Sequence, residues 1–406
     1  MTEEKKERIP VEEAVARITA AVREPEQTQS VMLYESLGRI LAEDQAAVIP
    51  QPPFSRSPLD GYALRAKDIQ GADLGHPVSL PVVQYIPAGG TADTPLPDGC
   101  AARIMTGAPV PEGADCIIRQ EDTDQGETQA LFYCDIRAGQ NICYQGEDIQ
   151  AGEVLVAAGT RLTFAHLGLM AGQGIESVPV FPKVRAAVMA TGDELVPCGQ
   201  PLKPGQIYDS NGIMLAARLA ELGVEPVRCP AGPDDPEKLT LTVDRLLRQY
   251  PLVITTGGVS VGQKDYMPEV ARRAGTRILF HGIAAKPGSP VLAAERDGSV
   301  LLALSGNPFA SVATFELLAV PALAKMAGET QWKALHVTAR LNGDFPKGSG
   351  MRRFVRARIE GGSVTVPEKG HSSGSIGTLA GCNCLIDIPG GSGPLAAGDE
   401  VMVWML

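Results

Sequence analysis

Between residues 183 and 327 the chain alternates apolar β-type runs with helical stretches, and few folds accept that order. VRAAVMA (184–190), VEPVRC (224–229), LVITT (252–256), RILFHGIA (277–284) and VLLAL (300–304) are short runs rich in apolar and β-branched residues. Helical segments at 211–222, 235–249 and 265–274 separate most of them. A last helix, about 308–327, opens on Asn307-Pro308, a cap followed by proline at the first helical position. Strands apolar on both sides need cover on both, so 183–328 reads as an open, doubly wound, mainly parallel α/β sheet. Ligands of such a sheet bind outside the carboxyl ends of its strands.

The segments that follow these strands are therefore informative. They are Thr191-Gly192-Asp193-Glu194, then Gly257-Gly258-Val259-Ser260-Val261-Gly262 with Asp265 beyond. Lys286-Pro287-Gly288-Ser289-Pro290 and Ser305-Gly306-Asn307-Pro308 complete the set. Glycine lets backbone N–H groups approach an anion, a helix start adds the favourable end of its dipole, and Lys286 supplies a compact charge. Asp193, Glu194 and Asp265 would repel that anion unless a hard cation such as Mg²⁺ lies between them. The residues thus point to a phosphate-bearing ligand with Mg²⁺. Each piece alone has a structural explanation: T-G-D-E as a helix entry, T-T-G-G as a strand-ending turn, S-G-N-P as a cap, Lys286 as a solvated lysine. Asp209 and Ser210, ahead of the helix at 211–222, fit an N-cap as well as a ligand contact. Joint placement on one edge favours the site.

Around this region the chain changes character. Apolar residues at Ile9, Val11, Ala14, Val15, Ile18, Ala21 and Val22 form a helical stripe. The proline-rich IPQPPFSRSPLDGY (49–62) marks a boundary, and short β-type runs fill about 76–140. Short strands return after 332 (HVTARL, RRFVRARIE, CLIDIP, EVMVWML), as in a small sandwich or barrel. With 47 acidic against 36 basic residues, the net charge of −11 disfavours nonspecific binding to nucleic acid. No signal segment and no apolar run long enough for a bilayer is read, so no membrane role is expected. Eight cysteines without a C-x-x-C pair fit reduced thiols in a cytoplasmic protein. Isolated histidines and the lack of G-x-S-x-G leave no basis for a catalytic triad.

Longer strings tie these pieces together: SPLDGYA (57–63), ARIMTGAPVPEGAD (102–115), QGED (145–148), TGDEL (191–195), GQIYDSN (205–211), TTGGVSVGQKDY (255–266), KPGSP (286–290), SGNP (305–308) and HSSGS (371–375). Nearly end to end, the sequence resembles the MoeA family of molybdopterin molybdenumtransferases, relatives of the gephyrin E domain. The resemblance implies a discontinuous elongated N-terminal domain (1–50 and 141–182), an inserted small β domain (51–140), a MogA-like α/β domain (183–328) and a C-terminal β-barrel (329–406). It implies a homodimer with a site shared between subunits, and molybdopterin adenylyltransferase as a candidate partner. Its substrates would be adenylylated molybdopterin and molybdate, with Mg²⁺ as cofactor and AMP as product. Asp60, Thr106, Asp148, Glu194, Asp209 and Asp265 match positions tied to activity in the family. Gly192, Ser210, Gly257, Gly258, Ser260, Gly262, Lys286, Ser289, Gly306 and Asn307 are expected to contact substrate, and Asp193, Glu194 and Asp265 to hold metal. Three positions depart from the family pattern: Cys143 and Ser289 stand where arginine and lysine are common, and Ser305 replaces a proline. An adenylyltransferase-like enzyme and a non-catalytic scaffold remain the rival readings.

Overall fold

The computed structural model describes residues 8–259 and 266–406, and the chain forms two compact units, Met1–Glu43 with Ala158–Thr163 and Ser177–Leu406, and Asp44–Ala157 with Phe164–Glu176. The stripe near the start folds as α1 (Val11–Ala21), burying Val11, Ala14 and Ile18.

The smaller unit is built on five strands: β1 (Gly61–Leu64), β2 (Val78–Ile86), β3 (Ala101–Ile104), β4 (Cys116–Arg119) and β5 (Gln129–Phe132). They lie in the order β4-β1-β3-β2-β5. Period-2 alternation sends Tyr62, Leu64, Cys116 and Ile118 into one core and Ala63, Ala102, Ile104 and Ile117 into another, so both faces of the sheet are covered. Gly61 leads into β1 where any Cβ would strike the Ile118 carbonyl of the adjacent strand, which is why glycine follows Asp60. The helix α2 (Phe164–Gly172) belongs to the same unit.

In the larger unit the alternating region forms one sheet from β6 (Arg185–Ala190), β7 (Glu225–Arg228), β8 (Leu252–Thr256), β9 (Arg277–His281), β11 (Leu292–Arg296) and β12 (Ser299–Leu304), in the order β7-β6-β8-β12-β11-β9; the two-residue β10 (Ala285–Lys286) lies outside it. The first four are parallel, as the continuous apolar runs require. β11 was not foreseen. It pairs antiparallel with β12 through the hairpin turn Asp297-Gly298, both at positive φ, between the apolar runs VLAA (291–294) and VLLAL (300–304).

Helices α3 (Ser210–Glu221), α4 (Pro236–Leu247), α5 (Met267–Arg273), α6 (Pro308–Thr314) and α7 (Val320–Met326) cover this sheet, α6 and α7 being joined by a π-helical turn at Phe315–Ala319. Val188, Ile254 and Leu302 pack with α1, α3 and the α6–α7 rod, while Ala187, Met189, Val253 and Leu301 pack with α4 and α5. α1 thus packs into the α/β core. The sequence reading found no span-length apolar run. Pro308–Met326 does qualify by length and hydropathy, but 83% of its window is buried, as a core helix requires.

β13 (His336–Asn342), β14 (Arg352–Glu360), β15 (Ser363–Thr365), β16 (Cys384–Ile388) and β17 (Glu400–Met405) run β14-β15-β13-β17-β16, and β16 pairs back with β14 to close a five-stranded barrel around Leu341, Phe345, Val355, Ile386 and Val403. β10 extends this barrel, pairing Ala285 with Arg352 and Lys286 with Arg353. Arg352 binds Asp387 of β16 (2.8 Å) and also Glu12 of α1, so one guanidinium ties the barrel to the α/β layer.

Candidate functional site

The turns after β6 and β8 are locked together. The Thr191 N–H donates to the Thr256 carbonyl at 2.8 Å and its hydroxyl to the same oxygen at 3.1 Å. Gly257 holds φ at 100°, and a side chain there would come within 2.5 Å of the Thr191 carbonyl. Gly192 leaves room for the Glu194 carboxylate, which a Cβ would meet. Asp193 accepts from the Asp234 N–H (3.2 Å), and Asp234 accepts from the Tyr266 hydroxyl. Burial, that hydrogen bond and the nearby Asp193 and Glu194 charges push the Tyr266 phenol well above its ordinary range. This corner is acidic. Ser260, Gly262 and Asp265 lie outside the described residues. Among the described residues no three His, Cys, Asp or Glu gather as a metal cage.

Asp209 accepts from the Gly212 N–H at 2.8 Å, capping α3, and lies 3.9 Å from Arg228. Ser210 is the first residue of that helix. The Asn211 amide donates to the Gly306 carbonyl at 2.8 Å, and Gly306 packs against Gly257. The start of α3 and the turns at 191–194, 257–258 and 305–307 therefore form one connected edge, as the loop placement implied.

Lys286 belongs to a second part of that edge. Together with Arg8, Ser305, Asn307, Phe309, Lys347, Arg353, Arg356, His371 and Ser373 it surrounds a cavity of about 480 Å³ that, among the described residues, no Asp or Glu lines. Lys286 and Arg353 are direct register partners, and among the described residues neither has an ion-pair partner. Like charges gathered round one cavity repel each other, so the lining favours an anion there. Arg356 is 2% exposed, donates to the Ser375 and Ser372 carbonyls and lies over the Phe309 ring, binding the HSSGS loop to the start of α6. Asn307 donates to Ser373 across the same seam at 3.2 Å. The Ser289 hydroxyl turns back onto the Ala285 carbonyl (2.5 Å), so it helps shape the loop and contributes no charge.

The sequence reading placed Lys286 and the acids around a single anion. Two of those acids, Asp193 and Glu194, do not line the Lys286 cavity, and the third, Asp265, lies outside the described residues. Arg8, Lys347, Arg353, Arg356, His371 and Ser373 were missed. Two signals were visible: the string HSSGS, which carries His371 and Ser373 but was not read as part of the site, and the four arginines of RRFVRAR (352–358) in an acidic chain.

On the smaller unit, Asp60 Oδ1 accepts both the N–H (2.8 Å) and the hydroxyl (2.7 Å) of Thr106. These two bonds hold the Asp60 carboxyl below its ordinary range. Ser57 and the Gly107–Ala108 turn exchange two backbone bonds (2.8 and 3.0 Å), which bring SPLDGY and RIMTGA side by side. Asp148 is exposed, with its N–H on the Gln51 carbonyl at 3.0 Å.

Three family models match in succession: the MoeA N-terminal region (domain I and II) over 9–174, a probable molybdopterin binding domain over 187–325 and the MoeA C-terminal region (domain IV) over 338–406. A molybdopterin molybdenumtransferase of Staphylococcus epidermidis is 37% identical over 99% of this chain and 97% of its own. The Bacillus subtilis protein of the same name is 37% identical over 99% and 95%. A crystal structure of the molybdopterin biosynthesis MoeA protein from Pyrococcus horikoshii superposes with a TM-score of 0.87 at 31% identity, covering 98% of this chain and 100% of that one. Similar over nearly its full length to these proteins, and matched by all three models, the chain belongs to the MoeA family.

Proposed function

We propose that this chain is a molybdopterin molybdenumtransferase, which takes adenylylated molybdopterin and molybdate and yields molybdenum cofactor and AMP. The observation that carries this reading is the cation-lined cavity at Lys286 and Arg353, whose charges suit a tetrahedral dianion. Asn307 and Ser373 add neutral polar groups beside them. The chemistry is oxyanion transfer, which depends on positioning and charge compensation more than on a protein nucleophile.

The neighbouring acidic corner suits the phosphoanhydride if a cation accompanies it. Mg²⁺ commonly takes one or two carboxylates and completes its shell with water and substrate phosphate. Asp193 and Glu194 meet that requirement without a protein cage, and bound there the ion would neutralise charge on the phosphates. Asp60, Thr106 and Asp148 border the molybdate side in this reading, supplied by a second copy in a homodimer. The doubly anchored Asp60 carboxylate supports that role, because it is ionised and aimed without further rearrangement.

The test is AMP release from adenylylated molybdopterin with varied molybdate. Release that depends on molybdate is the expected result, whereas net adenylylation of molybdopterin by ATP would overturn the reading. Lys286→Ala and Arg353→Ala should each raise the molybdate concentration for half-maximal rate about tenfold or more.

A further inference from the structure

The segment ahead of α1 brings a cation to the Lys286 cavity that the proposed reaction has not used. Arg8 lines that cavity although it is far from Lys286 in sequence. Its place is set by the next residue, for Ile9 bridges Ile283 in parallel. The Ile9 N–H donates to the Gly282 carbonyl (3.3 Å), and the Ile9 carbonyl accepts from the Ala284 N–H (2.8 Å). Both isoleucines are buried in the α/β core, so this bridge is backed by apolar packing. Its partner, 282–284, leads directly into Ala285-Lys286. Gly282, at φ 108°, leaves the room that the arginine stem uses: a Cβ there would lie 3.3 Å from Arg8 Cγ. Beyond Pro10, Glu12 binds Arg352 of β14, the neighbour of Arg353. The segment is therefore anchored both to the loop that carries Lys286 and to the strand that carries Arg353. The Arg8 side chain is exposed, and among the described residues no carboxylate pairs with it. Like charges around one cavity repel, so the protein alone gives no reason for another guanidinium there. A dianion does.

We propose that Arg8 is a third cation for the anion held by Lys286 and Arg353, so that docking of the N-terminal segment and filling of the cavity strengthen each other. The assignment rests on the anion site of the reaction proposed above. Arginine suits the role, because its planar fork matches two oxygens of a tetrahedral oxyanion, whereas Lys286 acts as a point charge. Coupling is reciprocal: whatever factor the docked segment adds to anion affinity, the anion adds to docking. Arg8, the Lys286 loop and the barrel residues Lys347 and Arg353 come from separate stretches of chain, and one anion draws them together.

Calorimetric titration of the full-length protein with sulfate and with molybdate tests the contact without turnover. Arg8→Gln should weaken both about fivefold or more, Arg8→Glu further still, and Arg8→Lys less than either. Lys238→Gln, which removes one exposed charge from α4, should change neither by more than about twofold. Saturating sulfate should also slow hydrogen exchange at the Ala284 amide, by a factor that shrinks in Arg8→Gln. Affinities within about twofold of the unsubstituted protein in both Arg8→Gln and Arg8→Glu overturn the assignment. So does exchange at Ala284 that sulfate slows no more in the unsubstituted protein than in Arg8→Gln. Molybdate-dependent AMP release by the unsubstituted protein is measured alongside. If release persists while the affinities ignore Arg8, only the role of Arg8 fails. If release is absent while sulfate affinity follows Arg8, the third cation stands and the reaction reading fails alone.

Discussion

Asp60 shows how a single side chain is prepared for work. Its Oδ1 takes two donors from Thr106, and no described group bonds Oδ2. The amide of asparagine presents the same oxygen to Thr106, so Asp60→Asn preserves the local bonds and removes only the charge. Turnover should fall by at least about a hundredfold, while the urea midpoint moves little, within roughly 0.5 kcal/mol of stability. A variant with wild-type AMP release would remove Asp60 from the site. The same logic separates two readings of Asp209, which certainly caps α3. Asparagine caps as well as aspartate. Loss of activity in Asp209→Asn without loss of stability would therefore report a role for its charge.

At the scale of elements, α3 matters because its first turn holds the SGNP loop through Asn211. Its position is set further along by Arg218, which pairs with Glu316 of the π turn at 2.8 Å; Glu316 is nearly buried and Arg218 a quarter exposed. Burial pushes the Glu316 carboxyl up despite the guanidinium beside it. Removing the partner strands a buried carboxylate, so Arg218→Met should cost about 3 kcal/mol at neutral pH. With its pKa raised in the fold above the unfolded value, Glu316 binds a proton more tightly when folded. The penalty is then small below the ordinary carboxylate range and grows as pH rises through the raised value. Denaturant melts at pH 5 and pH 8 check this, and equal losses at both would contradict it. Elements of this kind were legible in the sequence where the pattern is local. The runs at 184–190, 252–256 and 300–304 are buried on both faces, and α1 shows its stripe. β11 was legible too and was passed over: Asp297-Gly298 between VLAA (291–294) and VLLAL (300–304) is a two-residue hairpin signal. The cation set of the Lys286 cavity was illegible. The pairing of Lys286 with Arg353 is a matter of register between a loop and a distant barrel strand, which no local period encodes.

For the molecule as a whole, this cavity is a place where the α/β layer and the barrel meet. Lys286, the start of α6, β14 and the HSSGS loop each contribute a wall, so the cost of gathering cations is shared among parts distant in sequence. An anion that relieves that cost stabilises the entire larger unit, in proportion to its occupancy. His371 reports the relief. Shielding from water, the Lys347 ammonium and the Arg356 guanidinium hold its imidazole below the ordinary histidine range. As pH falls through about 6.5, the unfolded chain takes up a proton that the fold refuses, and stability is lost until the lowered folded value is passed. A dianion in the cavity offsets the cations and moves His371 back toward its ordinary value. Sulfate is a suitable probe because it stays doubly charged across this window. Millimolar sulfate should raise the melting temperature more at pH 5.5 than at pH 8, with proton uptake on binding measurable in buffers of different ionisation enthalpy. His371→Gln should retain sulfate binding but flatten its pH dependence. An unchanged pH dependence in that variant would mean that the cavity's charge is not sensed at His371, and that the barrel loop does not close on the anion.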